Sequence, residues 1–293
     1  MEIRDFGKTG LKVSLIGLGA SHVGAASVSE TDADKFLNEV LDLGVTLVDT
    51  ARGYGSSEER IGKYIAHRRD EYVLSSKCGY SIPGTEDWTP ACVAKGIDQA
   101  LSLMKTDRID IMHFHSCGLD VLQRNDVTAA LLKAVEEGKV RVPAYSGENE
   151  ARAFAIDSGD FKSIQTSVNI CDQRVIEEAL PKTIKAGYGM IAKRPIANAF
   201  WRFKTRPSGD YSEVYWSRAQ SMLLSPGSLP WSEFALRFAA FTPGVHSCIV
   251  GTANMDHFKE NLEFIKKGEL PKEVVAETQK KFRDHDQGWT GQI

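Results

Sequence analysis

Residues 45–55 read VTLVDTARGYG. A short apolar run, 45–48, stops at a carboxylate, Asp49, and passes into a glycine-containing loop that carries Arg52 and Tyr54. Such a run reads as a strand, and the longer stretch 57–66 beyond the loop repeats its apolar residues at helical spacing. The same unit recurs outward in both directions. Upstream, a strand over 15–17 precedes a helix over 31–43, with Ser29 or Thr31 as its cap. Downstream come strands over 72–76, 109–114, 140–145, 163–168, 190–192 and 246–250. Their helices are expected over 90–104, 127–137, 148–158, 174–186, 231–241 and 256–267. Eight strand–helix units in strict alternation imply a parallel sheet. Strands rich in Val, Ile and Leu suit burial on both faces. Eight units in 293 residues fit a closed (β/α)8 TIM barrel, in the α/β class, better than an open sheet. The first residues, EIRDFGKTGLKVS, read instead as an N-terminal hairpin placed to cap the barrel bottom. An extra C-terminal helix is expected over 271–284, and residues 1–293 form one domain.

One stretch breaks the rhythm. Residues 194–230 show no clear strand or helix and mix Trp201, Phe203, Tyr211, Tyr215 and Trp216 with Arg202, Lys204, Arg206 and Arg218. Long irregular loops in compact folds are usually functional or disordered; this one is read as a cofactor clamp on the catalytic face, with a disordered surface insertion as the alternative. The tail after Asp284, with Trp289, is placed to reach over the same face. The formal net charge of −3, with Lys and Arg spread along the chain, argues against nucleic acid as a partner. The charged start MEIRDFGKTG is no signal peptide, and no apolar run approaches the ~18 residues of a membrane span. The five cysteines include no CxxC pair, which fits a reducing, cytoplasmic setting. Nothing in the sequence specifies an oligomeric state.

Catalytic residues of such barrels project from the C-terminal ends of strands. Asp49 ends the second strand, Tyr54 follows on its loop, Lys77 ends the third and His115 the fourth. Residues two apart on a strand share a face. Leu47 and Val45 should therefore lie beneath Asp49, Ser75 and Val73 beneath Lys77, and His113 and Ile111 beneath His115. An acid, a phenol, an ammonium and an imidazole at one mouth suit carbonyl reduction by hydride, which places charge on the carbonyl oxygen and needs a proton donor. A neighbouring Lys⁺ favours the tyrosinate left behind. Asp49 would hold Lys77, and His115 would orient the carbonyl.

At these residues the sequence resembles the aldo-keto reductase superfamily. DTARGYGSSEERIG is similar to its DTAxxYGxxExxxG signature, SSKCG to its lysine motif and DIMHFH to its DxxxxH strand. YSGEN resembles a GVSNF-type strand end, and CIVGTANMDHFKENL its C-terminal cofactor segment. The resemblance implies Tyr54 as proton donor, Lys77 and Asp49 as its tuning pair and His115 as the substrate-orienting group. It implies NADPH, with NADH possible in its place, extended across the mouth. Gly19, Ala20 and Ser21 would line it, and Ser146, Gln165 and Asp49 would hold its nicotinamide end. IGLGASHVG lacks the third glycine of a Rossmann fingerprint. Thr252, Glu260 and Asn261 match the cofactor segment.

Several positions depart from the family pattern. Gly147 stands where many members have Asn, and Lys193, followed by Arg194, where many have an aromatic that stacks on nicotinamide. Gly251 and His257 replace the Lys and Arg that grip a 2′-phosphate. The leading expectation is reduction of a small aldehyde or ketone. The alternatives are an NAD-dependent sugar or polyol dehydrogenase, with Arg52 meeting a polar substrate, and a non-catalytic cofactor-binding sensor or accessory subunit. His22, Tyr80, Trp88 and Trp216 are expected in the pocket walls.

Overall fold

In a computed structural model describing residues 1–293, the chain opens with β1 (Ile3–Asp5) and β2 (Lys12–Ser14), an antiparallel pair that sets Ile3 opposite Ser14. Eight parallel strands follow: β3 (Ile16–Gly19), β4 (Leu47–Asp49), β5 (Val73–Cys78), β6 (Ile109–His115), β7 (Val140–Ser146), β8 (Ser163–Ser167), β9 (Gly189–Lys193) and β10 (Ser247–Gly251). They close in sequence order, β10 pairing with β3. The strands are buried on both faces, inside by the barrel and outside by helices, which is why their apolar runs are nearly continuous.

The helices are α1 (Glu30–Asp42), α2 (Ser57–Tyr64), α3 (Pro90–Leu103), α4 (Leu119–Leu122), α5 (Asn125–Glu136), α6 (Asn149–Ser158), α7 (Arg174–Glu178), α8 (Leu180–Ala186), α9 (Glu213–Ser221), α10 (Trp231–Ala240), α11 (Met255–Lys266) and α12 (Lys272–His285). Local chemistry sets several ends. The Ser29 hydroxyl accepts the Asp32 amide at 3.1 Å and starts α1. Thr89 does the same for Cys92, with Pro90 in the first turn of α3, where its missing N–H costs nothing. No helix is long and apolar enough to cross a membrane.

Two expectations about helices need correction. The helix expected over 174–186 is two, α7 and α8, broken at Ala179, with Pro181 in the first turn of the second. The stretch 194–230 is not structureless. It contains a 3-10 segment, Ala197–Arg202, and the nine-residue helix α9. α9 escapes the periodicity test because its buried side is Tyr215, Arg218 and Ala219. A buried arginine in the middle of that face reads as polar.

The core has three parts. The largest cluster lies between barrel and helices. A second packs Tyr215 and Ala219 of α9 against Phe234 and Phe238 of α10 and Phe282 of α12. The third fills the barrel floor with Leu47, Val73, Ile111, Val142 and Ile191, capped by Phe6, Leu11 and Val13 of the hairpin. Strand parity thus places Leu47, Val73 and Ile111 as expected, whereas Val45 precedes β4 and joins the outer cluster.

Phe6 is the plug. It is fully buried, and a Cβ on Gly189 would stand 2.3 Å from its ring, so only glycine admits it. Phe6→Ala is expected to cost about 3–5 kcal/mol, as for other buried aromatics. A lowered urea midpoint with an unchanged slope would show it; an unchanged midpoint would remove the hairpin from the barrel's stability.

Candidate active site

The four expected residues converge on the mouth formed by the strand ends. Lys77 and Asp49 are both buried, with Nζ 2.6 Å from Oδ2. Lys77 also donates to the Thr50 carbonyl at 2.8 Å. The other carboxylate oxygen, Oδ1, accepts from the Ser75 hydroxyl at 2.7 Å and the Gln165 amide at 2.9 Å. Buried charges persist only when paired and hydrogen-bonded, and this pair meets that condition. Burial works against the Lys77 ammonium, but the Asp49 carboxylate and the Tyr54 phenol outweigh it, so its pKa is raised.

Tyr54 is half-buried, with Lys77 Nζ 4.8 Å from its ring centre. The His115 ring meets it edge-on at 5.8 Å between centroids. Burial, with Lys77, Lys193 and His113 nearby, pushes the pKa of His115 down to about 2, so the ring is neutral. Tyr80 lies against the other side of His115, its hydroxyl 2.6 Å from Nδ1. His113, the polar residue one layer below, is fully buried with Nε2 3.1 Å from the Ser75 hydroxyl. Ser75 donates onward to Asp49, so His113 must donate to Ser75. Ser75, placed by strand parity beneath Lys77, links two layers of the site.

The other expected residues lie on neighbouring strand ends, on loops and on α11. Ser146 at the end of β7 donates to the Gln165 side-chain oxygen at 3.0 Å. Gly19 pairs in register with Asp49 on one side and Gly251 on the other, and the Ala20 amide donates to the Asp49 carbonyl at 2.8 Å. The Ser21 hydroxyl lies 3.4 Å from His22 Nδ1, and His22 sits 3.2 Å from where a Gly251 Cβ would be. Thr252 is half-buried, His257 and Glu260 are exposed on α11, and Asn261 is buried. Of the remaining pocket-wall expectations, Trp88 packs beside Tyr80 and Trp216 donates to the Phe203 carbonyl within the second cluster. Arg52 is engaged by Glu58 and Glu59, each at 3.4 Å.

Two departures acquire physical causes. A Cβ on Gly147 would lie 2.2 Å from the Tyr145 hydroxyl, which donates to the Cys117 carbonyl at 2.8 Å. Tyr145 therefore imposes glycine where the family pattern has Asn. Lys193 is drawn 3.3 Å from Glu148, a carboxylate the sequence reading passed over. Glu148 is buried and accepts from the Thr166 hydroxyl and from the Ser167 amide and hydroxyl, with Arg152 and Arg194 each at 3.7 Å. Burial opposes its charge, but Lys193, these hydrogen bonds and Arg194 more than compensate, holding its pKa below the usual range. The only signal was an acid one residue past a strand-end glycine in YSGEN.

The tail closes over this cluster. Arg218 donates to the Thr290 carbonyl at 2.5 Å, the Gly291 amide donates to Asn149 at 2.6 Å, and Arg194 donates to the Gln292 carbonyl. A Cβ on Gly291 would fall 2.9 Å from that of Glu148.

A closed parallel barrel with a buried ammonium–carboxylate pair, a phenol and a neutral imidazole at its strand ends defines a class of barrel oxidoreductase. The chain belongs to the Aldo/keto reductase family, whose model matches residues 15–283. Members of that family are oxidoreductases that act on carbonyl substrates with a nicotinamide cofactor, and the chain is one of these enzymes. L-galactose dehydrogenase of Arabidopsis thaliana is 27% identical over 286 residues, covering 89% of this chain and 87% of its own length. L-glyceraldehyde 3-phosphate reductase of Escherichia coli (strain K12) is 29% identical over 217 residues, covering 67% and 62%. An aldo-keto reductase of Bacillus halodurans in its holo form superposes with a TM-score of 0.82 at 25% identity, covering 96% of each chain.

Burial, offset in part by Glu148, lowers the pKa of Lys193 from 10.5 to about 8. The folded state thus holds fewer protons than the unfolded chain between these values, so this group's contribution rises with pH across that window. The stability difference between wild type and Lys193→Met should move in favour of wild type as pH rises from about 8 to 10, read from urea midpoints. A difference independent of pH would contradict the buried, shifted ammonium.

Proposed function

We propose that the enzyme reduces an aldehyde or ketone to the alcohol, with NADPH as hydride donor and Tyr54 as general acid. The observation that carries this reading is the buried Lys77–Asp49 pair at 2.6 Å with the Tyr54 ring 4.8 Å from the same ammonium. Proton delivery by a phenol leaves a tyrosinate, and a fixed cation beside it stabilises that charge at the moment it forms. Asp49 keeps Lys77 in place and offsets the cost of burying it. His115 is neutral, so it offers a hydrogen bond to the carbonyl oxygen without competing as the acid.

The residues present fit a nicotinamide. The Gln165 side chain is held by Asp49 and Ser146, yet retains one N–H and one oxygen lone pair. That is the complement of a carboxamide, with the Ser146 oxygen as a further acceptor. Gly19, Ala20 and Ser21, Gly147, Lys193 and Arg194, and the segment from Gly251 through Thr252 and His257 to Glu260 and Asn261 would line the rest. Once bound, the reduced ring supplies the hydride to the carbonyl carbon.

The 2′-phosphate end supports a second reading, NAD-linked oxidation of a sugar or polyol. Lys259 is the one Lys or Arg between residues 251 and 261, and Glu39 holds it at 2.5 Å. No lysine or arginine there is free for a phosphate, which leaves the exposed His257 as the one other basic side chain. A kcat/KM for NADPH well above that for NADH is the expected result, and a strong NADH preference would replace the first reading with the second.

Tyr54→Phe should lower the reduction rate by about 10²–10⁴-fold, the range for general acid catalysis. Cofactor binding, followed by fluorescence quenching, should be retained. Unchanged turnover would take Tyr54 out of the chemistry.

A further inference from the structure

Tyr80 sits in a built position that the proposed chemistry does not use. Its ring stacks on His115, with centroids 5.2 Å apart and planes at 27°. From behind, Trp88 packs 6.0 Å from the Tyr80 ring and anchors its own amide to the Gly79 carbonyl at 2.7 Å. A Cβ on Gly79 would overlap the Trp88 ring at 2.0 Å, so glycine is what lets Trp88 approach. From the front, a Cβ on Gly53 would come within 3.2 Å of the Tyr80 hydroxyl. That hydroxyl has one protein partner, His115 Nδ1 at 2.6 Å, and His115 Nε2 has none.

A neutral imidazole carries one proton, and which nitrogen bears it is set by the partner of the other. Burial raises the pKa of Tyr80, first of all causes, so its hydroxyl keeps its proton. If Tyr80 donates to Nδ1, both groups are satisfied and the imidazole proton resides on Nε2. In the reverse arrangement the phenol proton has no acceptor in the protein, and Nε2 turns a lone pair toward the mouth.

We infer that Tyr80 is a positioning residue that locks His115 as the Nε2–H tautomer, making it a hydrogen-bond donor to the substrate carbonyl oxygen. The inference rests on the reading that His115 addresses that oxygen. A lone pair at Nε2 would repel the developing oxyanion, whereas an N–H stabilises it. Tyr80→Phe keeps the stack and removes only the hydroxyl. It frees Nδ1, and His115 becomes a mixture of tautomers.

The test is histidine-selective ¹⁵N NMR of the intact protein, with His115→Asn assigning the resonance. Wild type should show Nε2–H alone. Tyr80→Phe should show tautomer averaging, with kcat about tenfold lower, a difference equivalent to about 1.4 kcal/mol. KM and Kd for the cofactor should be unchanged, because Tyr80 acts through His115. A resting Nδ1–H tautomer in wild type would overturn the inference, as would an unaltered tautomer in Tyr80→Phe. So would a shifted tautomer with unchanged kcat. Failure of the wider reading looks different: His115→Asn would then leave kcat intact, while the tautomer of the resting protein stays measurable.

Discussion

The structure turns on one buried ion pair. Lys77 and Asp49 sit on adjacent strands, β5 and β4, one at each strand end. Two charges taken out of water are costly, and their attraction compensates only when every remaining lone pair and proton is bonded. Much of the site follows from that demand. Thr50 supplies a carbonyl to the ammonium, and Ser75 and Gln165 supply donors to the carboxylate. Ser75 brings His113 with it, and Gln165 brings Ser146. Phe6, Leu11 and Val13 seal the barrel floor with apolar side chains, and parallel register sets Asp49 beside Gly19 and Ser75. The result is a fixed cation beside a phenol, arranged before any substrate arrives.

A second charge cluster, around Glu148, accounts for the side of the mouth that departs most from the family pattern. One buried carboxylate gathers Lys193, Arg194 and Arg152 and is roofed by the Gly291 backbone. Lys193 stands where an aromatic is usual, and its alkyl stem can cover apolar surface while its head is anchored away. The helix α9 and the tail are tied to the same cluster, Arg218 reaching the Thr290 carbonyl and the Asp172 carboxylate at 3.9 Å. The long connection after β9 is thereby ordered by ion pairs and its own aromatic core.

Much of this was legible from residue order. Periodicity separated strands from helices, and parity put Leu47, Val73 and Ile111 under the functional residues. Asp49, Lys77 and His115 were visible because polar residues ending apolar strands are exceptions to a strong pattern. α9 was not, because Arg218 on its buried face is matched by partners remote in the chain. Glu148 was not, because an acid after a strand looks like any solvated loop residue until its partners assemble. The break at Ala179 also went unread.

By itself, then, the sequence determined the alternation of strand and helix, hence the barrel, and the presence of a carboxylate, phenol, ammonium and imidazole at its mouth. These are local facts, set by spacing along the chain and by which residue types end a strand. Only the tertiary structure decided that Ser75 joins His113 to Asp49, that Tyr145 forces glycine at 147, that Lys193 answers to Glu148 and that Tyr80 meets His115. Each is a contact between distant segments, fixed by barrel closure and packing rather than by spacing, so no reading of neighbours along the chain contains it.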